Sequence, residues 1–443
     1  MNKKSIPTVS SFRFVQNALR ILKNPLPFHH ENFEKHGDTF RLHLGFGKYV
    51  YFSRDAGLAQ YALQKNQKNY TKSKIQTKNL AKYVGKGLLT SEGKHWKKQR
   101  KLIQPAFHKK QLAQLIGTLE EAISTELNRV TTEAPLDIFP LFNDLAFKTV
   151  VKSLFSNAVS EEKITKLQHI TEAAQRMLVK ELRQPYLLWW FRISGKLKKN
   201  LDGTLEAREI LRELIQTRRE SGQRQDDLLD MLLDAEYEDG SKMSEKQLID
   251  EILILFTAGH ETTSNALTFC CELLARHPEA QEKIISEVQK ARNTSETLIE
   301  FIQTCPYTKQ VIEETMRLYP PAYFIDRLNL ESDTFKEMKI PKGTNLLFSI
   351  FEIHRNPNLW ESPEAFRPER FAEGNSLLYS ANYYPFGAGP RMCIGNNFAM
   401  FEMILAIAML MERFKIKPKE TSIQILPLIT LKPKEAILEF QKR

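Results

Sequence analysis

The chain has 443 residues, with 64 Lys and Arg against 53 Asp and Glu, a net charge of +11 and a hydrophobic fraction of 42%. This balance excludes a disordered tail protein and a collagen-like fibre, and the length suits roughly two to three domains or one large fold. The longest uninterrupted apolar run, Met403–Met411, has nine residues, where a membrane span needs about 20. Met1–Ser10 is polar and carries no apolar segment or small-residue cleavage site, so neither a secretion signal nor a transmembrane anchor is expected. Cys270, Cys271, Cys305 and Cys393 show no CxxC spacing, which predicts a cytoplasmic protein without a disulfide framework. A basic chain suits an anionic partner, yet zinc-finger spacing and RNA-recognition signatures are both missing, so no nucleic-acid role is expected.

In chain order, the first hundred residues mix short helical patterns with strand-like runs at Thr39–Leu44 and Lys48–Phe52. From about Glu92 to Lys290 the pattern is almost wholly helical, with apolar residues three or four apart through Leu112–Val130, Ile164–Leu182 and Leu205–Ile215. Ser244 and Gln247 have capping-box spacing, and no proline follows until Pro278. This predicts one helix from Ser244 to about His277, roughly 50 Å long. Its middle, Ile252–Gly259, is apolar almost all round, which predicts burial on every side. After Pro320 come prolines, a short extended run at Asn345–Phe351, a helix from about Asn396 to Phe414, and a strand pair over Ile423–Phe440. No linker divides the chain. The sequence predicts a single mainly α domain over residues 1–443, with a minor β part near the two ends.

Four clusters carry chemistry. Phe386-Gly-Ala-Gly-Pro-Arg-Met-Cys-Ile-Gly395 sets a Cys between glycines just before a helix. Oriented N–H groups there favour a thiolate, which suits a soft or borderline metal. A lone Cys after a loop, however, more often simply packs. Glu314 and Arg317 lie i, i+3 on a helix that ends before Pro320, and Pro368-Glu-Arg-Phe371 follows. That pair alone is no more specific than a surface ion pair. Ala258-Gly-His-Glu-Thr-Thr263 places small residues, a carboxylate and hydroxyls on the long helix. An interior Gly costs about 1 kcal/mol and so has a reason, here taken as room beside a flat ligand. His260 competes as a ligand, but a zinc protease needs His-Glu-x-x-His and position 264 is Ser. Trp96 and Arg100, four apart on one helical face, both donate hydrogen bonds, though a Trp packed under an amphipathic helix fits as well.

Phe386-x-x-Gly389-x-Arg391-x-Cys393-x-Gly395 resembles the haem-binding loop of the cytochrome P450 family at all five fixed positions, and the likeness extends over nearly the whole chain. The resemblance implies the cytochrome P450 fold, with haem b whose axial thiolate is Cys393, the metal ligand. Arg391, Trp96, Arg100 and, more loosely, Arg327 would meet the propionates, while Phe386 and Ala258 would border the haem. Glu314, Arg317 and Arg370 match the family's ExxR and PERF pair, a structural lock. Ala258–Thr262 is similar to the oxygen-binding motif, which implies that Glu261 and Thr262 relay protons to dioxygen.

The implied reaction inserts one oxygen atom from O2 into a C–H bond, as hydroxylation or oxidative O-demethylation. Electrons would come from a separate ferredoxin or flavodoxin with its reductase. The basic run Lys94, Lys97, Lys98, Arg100, Lys101, Lys109 and Lys110 would receive that acidic partner, unless it is only a solvated face. Substrate contacts implied by the family fall on Leu88, Leu89, Phe256, Ala258, Ala322, Tyr323, Phe324 and Asp326. They admit a lipid, terpenoid, aromatic or methylated-sugar substrate. Tyr186-Leu-Leu-Trp-Trp-Phe191 reads as core packing, a border of the substrate entrance or a membrane contact. A peroxide-driven peroxygenase and a non-catalytic haem sensor or carrier are the alternatives. The first usually lacks an acid–Thr pair, and the second needs neither a relay nor a basic face.

Overall fold

Strand-forming and helix-forming stretches segregate along this chain, and so do its contacts. The computed structural model describes residues 6–45, 47–373, 381–420 and 422–443. They gather into two compact units. Unit 1 comprises residues 1–73, 310–393 and 424–434, and unit 2 comprises residues 74–309, 394–423 and 435–443.

Unit 1 holds a six-stranded sheet in the order Thr8–Val9, Thr39–His43, Tyr49–Ser53, Asn345–Ser349, Phe324–Asn329, Tyr70–Thr71. The predicted strands at Thr39–Leu44 and Lys48–Phe52 pair antiparallel in the register Phe40↔Phe52. Alternation places Phe40, Leu42 and Phe52 on one face, where they bury against Phe28 and Phe33. Ile423–Phe440 is not one strand pair. Ile425–Pro427 pairs with Leu431–Pro433 in unit 1. Ile437–Lys442 instead pairs with Phe414–Pro418 in unit 2.

Unit 2 is helical. Its long helix runs Glu245–Arg276, within a residue of the predicted span, and the Ser244 side chain accepts from the Gln247 N–H at its start. The reciprocal half of the capping box does not form, because the Gln247 amide turns away to the Lys86 carbonyl and Glu251. Leu112–Val130 is a regular helix only over Ile116–Leu127. Ile164–Leu182 and Leu205–Ile215 lie inside the longer helices Glu161–Arg183 and Lys196–Ser221. The apolar run Met403–Met411 is buried within helix Asn396–Arg413. Among the described residues no helix is long and apolar enough to cross a membrane.

Candidate haem and oxygen site

In unit 1 the Cys393 loop is a chain of tight turns. The Gly387 N–H donates to the Tyr384 carbonyl, the Met392 N–H to Gly389, and the Cys393 N–H to Phe386 at 2.9 Å. Gly389 has φ +68°, and a Cβ there would lie 2.0 Å from the Leu63 carbonyl oxygen. Only glycine allows both the left-handed turn and that approach. Held this way, Cys393 is the one exposed cysteine, while Cys270, Cys271 and Cys305 are buried and none is in a disulfide. The chain then enters the 18-residue helix Asn396–Arg413. A packing role for Cys393 is thus excluded by its exposure.

The Glu314–Arg317 pair is no surface ion pair. Both side chains are 0% exposed. Arg317 Nε and Nη2 donate to the two Glu314 oxygens at 2.7 and 2.9 Å, a bidentate geometry. Its remaining donors reach the carbonyls of His354, Pro363 and Ala365. The Arg367 N–H and the Arg370 guanidinium approach Glu314 at 2.8 and 3.4 Å. Burial holds the His354 imidazole down at about 3, with the Arg317 charge acting in the same sense, so its neutral Nε2 accepts from the Tyr384 N–H at 2.9 Å. That bond ties the ionic core to the start of the Cys393 loop.

In unit 2 the long helix departs from the all-round burial expected of Ile252–Gly259. Phe256 is fully buried, with its ring 5.3 Å from that of Phe147, so it packs in the core and is not an open contact. Two residues on, Ala258 is exposed, and Glu261 and Thr262 are partly so. Apolar composition cannot distinguish a face covered by protein from one that borders open space. Gly259 has a different reason from the one expected. A Cβ there would lie 2.9 Å from Val150 of helix Ile138–Phe155, so the glycine permits close helix packing. Thr262 Oγ1 donates to the Ala258 carbonyl at 2.7 Å. His260 is turned inward, its Nδ1–H donating to the Phe256 carbonyl at 2.9 Å. This removes it as a candidate ligand.

Asp250 and Glu251, not singled out in the sequence, anchor the segment before Gly93. They accept from the Lys86 and Leu88 N–H groups, each at 2.9 Å. Burial raises the Glu251 carboxyl to about 7. The one available signal was a pair of acids beside the apolar run of the helix. Trp96 is buried on helix Gly93–Ile103, and Arg100 Nε donates to Gln104 at 3.1 Å. In unit 1 Arg327 is buried, with Nη1 donating to the Asp326 carbonyl at 2.7 Å. Tyr323 gives its hydroxyl to the Leu428 carbonyl at 2.6 Å, whereas the buried Asp326 leaves Oδ2 without a partner.

The basic face is also modified. Lys98 lies 3.6 Å from Asp239 and 3.7 Å from the Tyr237 ring centroid, and Lys101 pairs with Glu238. Gln99, itself buried, donates to the Tyr237 hydroxyl at 2.7 Å. The turn carrying Tyr237–Asp239 thus covers part of the run. An open groove of about 1000 Å³ lies between these lysines and acids such as Asp226 and Asp234.

A model of the family described as Cytochrome P450 matches residues 7–440. The chain belongs to the cytochrome P450 family. It is 31% identical over 414 residues to probable cytochrome P450 4s3 of Drosophila melanogaster, covering 87% of this chain and 81% of the relative. It is 28% identical to cyclooctat-9-en-7-ol 5-monooxygenase of Streptomyces melanosporofaciens, covering 91% and 87%. The fold matches the crystal structure of the cytochrome P450DA heme domain with a TM-score of 0.87, at 21% identity over 99% of this chain and 98% of that one. As a P450 it is a monooxygenase, an oxidoreductase that uses haem b and O2 with a redox partner to oxidise a small molecule. The residues fit that cofactor. An exposed thiol stands on a loop of tight turns in unit 1, and the long helix of unit 2 is exposed at Ala258.

Proposed function

We propose that residues 1–443 act as one catalytic domain that inserts an oxygen atom into a C–H bond of a largely apolar small molecule bearing a polar group. The observation that carries this is the Cys393 loop, which presents the chain's one exposed thiol at the start of a long helix. Cys393 would hold the haem iron as thiolate, Arg391, Trp96, Arg100 and Arg327 would bind the propionates, and Phe386 and Ala258 would border the ring. Bound haem supplies O2 activation, the balance being R–H, O2, two electrons and two protons to R–OH and water.

Thr262 would hold a proton at Oγ1, its bond to the Ala258 carbonyl fixing the rotamer, and Glu261 would replenish it from solvent. Phe256 is withdrawn from the substrate contacts by its burial. Ala258 and Leu89 would supply apolar surface, and Asp326 would offer an oxygen to a hydroxyl or cationic substrate group. An alcohol substrate named for a relative, cyclooctat-9-en-7-ol, has that mixed character. Oxidative O-demethylation is the same chemistry on a methyl ether. Four cysteines outside disulfides support a cytoplasmic setting.

Electrons would come from an acidic ferredoxin or flavodoxin docking on Lys94, Lys97, Lys109 and Lys110, since Lys98 and Lys101 already face acids of the chain. The test is a haem absorbance titration against fatty acids, terpenoid alcohols, small aromatics and methylated sugars. A spin-state shift confined to apolar molecules with one polar group supports the proposal, and a shift confined to methylated sugars contradicts the apolar assignment. Salt-independent reduction by ferredoxin and flavodoxin alike contradicts the docking face.

A further inference from the structure

Residues 74–91 of unit 2 carry four lysines, Lys74, Lys78, Lys82 and Lys86, and no acid. Carboxylates from other elements anchor them. Buried Glu181, on helix Glu161–Arg183, accepts from Lys82 Nζ at 2.6 Å and from the Tyr83 hydroxyl at 2.9 Å. Asp250 and Glu251, both buried on the long helix, accept from the Lys86 and Leu88 N–H groups. Thr90 braces the turn from inside, its hydroxyl accepting from the Gly87 N–H at 3.0 Å and donating to the Gly85 carbonyl at 2.7 Å. The fit leaves no room for side chains. A Cβ at Gly85 would lie 2.1 Å from Asp250, and one at Gly87 2.4 Å from Glu251.

The two adjacent acids differ in their partners. Asp250 meets two cations, Arg208 of helix Lys196–Ser221 with Nη2 2.6 Å from Oδ1, and Lys246 of its own helix with Nζ donating to Oδ2 at 3.1 Å. Among the described residues, Glu251 instead receives neutral donors, the Leu88 N–H and the Gln247 amide, each at 2.9 Å. Burial pushes its carboxyl up to about 7, and the Asp250 charge acts in the same sense. An ionised Glu251 in the closed turn is a buried charge without a cation, beside a second carboxylate.

We infer that Asp250 and Glu251 are positioning residues for the oxidation, which hold the Gly85–Leu89 turn against the long helix, and that Glu251 makes this hold proton-dependent. The inference rests on the reading that Leu89 borders the substrate. In the closed turn Glu251 keeps its proton up to about pH 7, whereas in water it releases it near the ordinary 4.5. Closure is therefore favoured fully below about 4.5 and weakens as pH rises through about 7.

The experiment follows amide hydrogen exchange in the haem-loaded full-length protein at about pH 6 and about pH 8, corrected for the intrinsic pH dependence of exchange. Amides of helix Asn396–Arg413 serve as the reference for global opening. Beyond any change in that reference, the Lys86 and Leu88 amides should open about tenfold more at the higher pH. Glu251→Gln keeps an oxygen for the Leu88 N–H and has no proton to release, so its opening should be level across the range. Glu251→Ala removes the acceptor and should exchange quickly at both pH values. In parallel, n-butyl isocyanide should bind the reduced haem faster at the higher pH in the wild type and at one rate in Glu251→Gln. An equal pH step in wild type and Glu251→Gln, or no step in either, overturns the inference. An exchange step without any change in isocyanide rate upholds the hold of Glu251 on the turn and refutes instead the placing of Leu89 beside the substrate.

Discussion

The ionic core of unit 1 and the open stretch of the long helix in unit 2 use polar side chains in opposite ways. Around Arg317 the protein supplies the partners itself, from one carboxylate and three carbonyls. At Ala258 and Thr262 the side chains border space, and the Thr262 hydroxyl bond runs back along its own helix. The first arrangement fixes geometry deep in the core, whereas the second lies where the helix surface is exposed. Substitutions should therefore break the fold in one region and the chemistry in the other.

The largest effect is expected at Arg317. Arg317→Ala strands a buried carboxylate and should cost about 3–5 kcal/mol in chemical denaturation, with loss of haem content. Arg317→Lys should fail to rescue it, because an ammonium cannot reproduce the bidentate fork.

Glu402 sharpens the comparison, since it is a fully buried carboxyl in unit 2 that lacks such a lock. The Thr149 hydroxyl donates to one oxygen at 2.5 Å, and the other has no partner. Burial raises this carboxyl from 4.5 to about 8, with the Thr149 bond opposing. The folded state therefore keeps a proton that the unfolded chain releases. Its stabilising contribution is complete below about 4.5 and falls as pH rises to about 8, by on the order of 4 kcal/mol. Glu402→Gln should flatten that slope in denaturation curves measured across this range. An equal slope in the variant would assign the pH dependence elsewhere.

A smaller stability effect is expected at the open stretch. Thr262→Ala should change stability by less than about 1 kcal/mol yet separate O2 consumption from product formation, read as peroxide released per electron pair. Unchanged coupling would remove Thr262 from proton delivery. Smallest of all, Glu238→Gln with Asp239→Asn should leave stability nearly unaltered, because exposed pairs contribute about 0–1 kcal/mol. It should speed reduction by an acidic partner at low salt by releasing Lys98 and Lys101. A slower rate would mean that the turn holds those lysines in place for docking.

The sequence disclosed these regions unequally. The long helix was legible to within a residue because its period, its Ser244 cap and its freedom from proline act locally. The Cys393 loop was legible through its family pattern, since a Cys among glycines before a helix is by itself equally compatible with packing. The lock was legible as a family motif only, since an i, i+3 Glu–Arg pair looks alike on a surface and in a core. Gly259 was misread because its neighbour, Val150, is remote in sequence. The Tyr237–Asp239 turn over Lys98 and Lys101 was invisible for the same reason, being a contact between segments 138 residues apart at Gln99 and Tyr237. The exposed Trp189 and Trp190 were ambiguous because an apolar run has the same composition in a core and at an interface.

The most direct test of the central claim is the carbon monoxide spectrum of the reduced, haem-loaded protein, compared between wild type and Cys393→Ala. A thiolate-type Soret band is expected in the wild type and its complete loss in the variant, with the circular dichroism of the helices preserved. A thiolate-type band that survives in Cys393→Ala would place the iron ligand elsewhere and contradict the assignment.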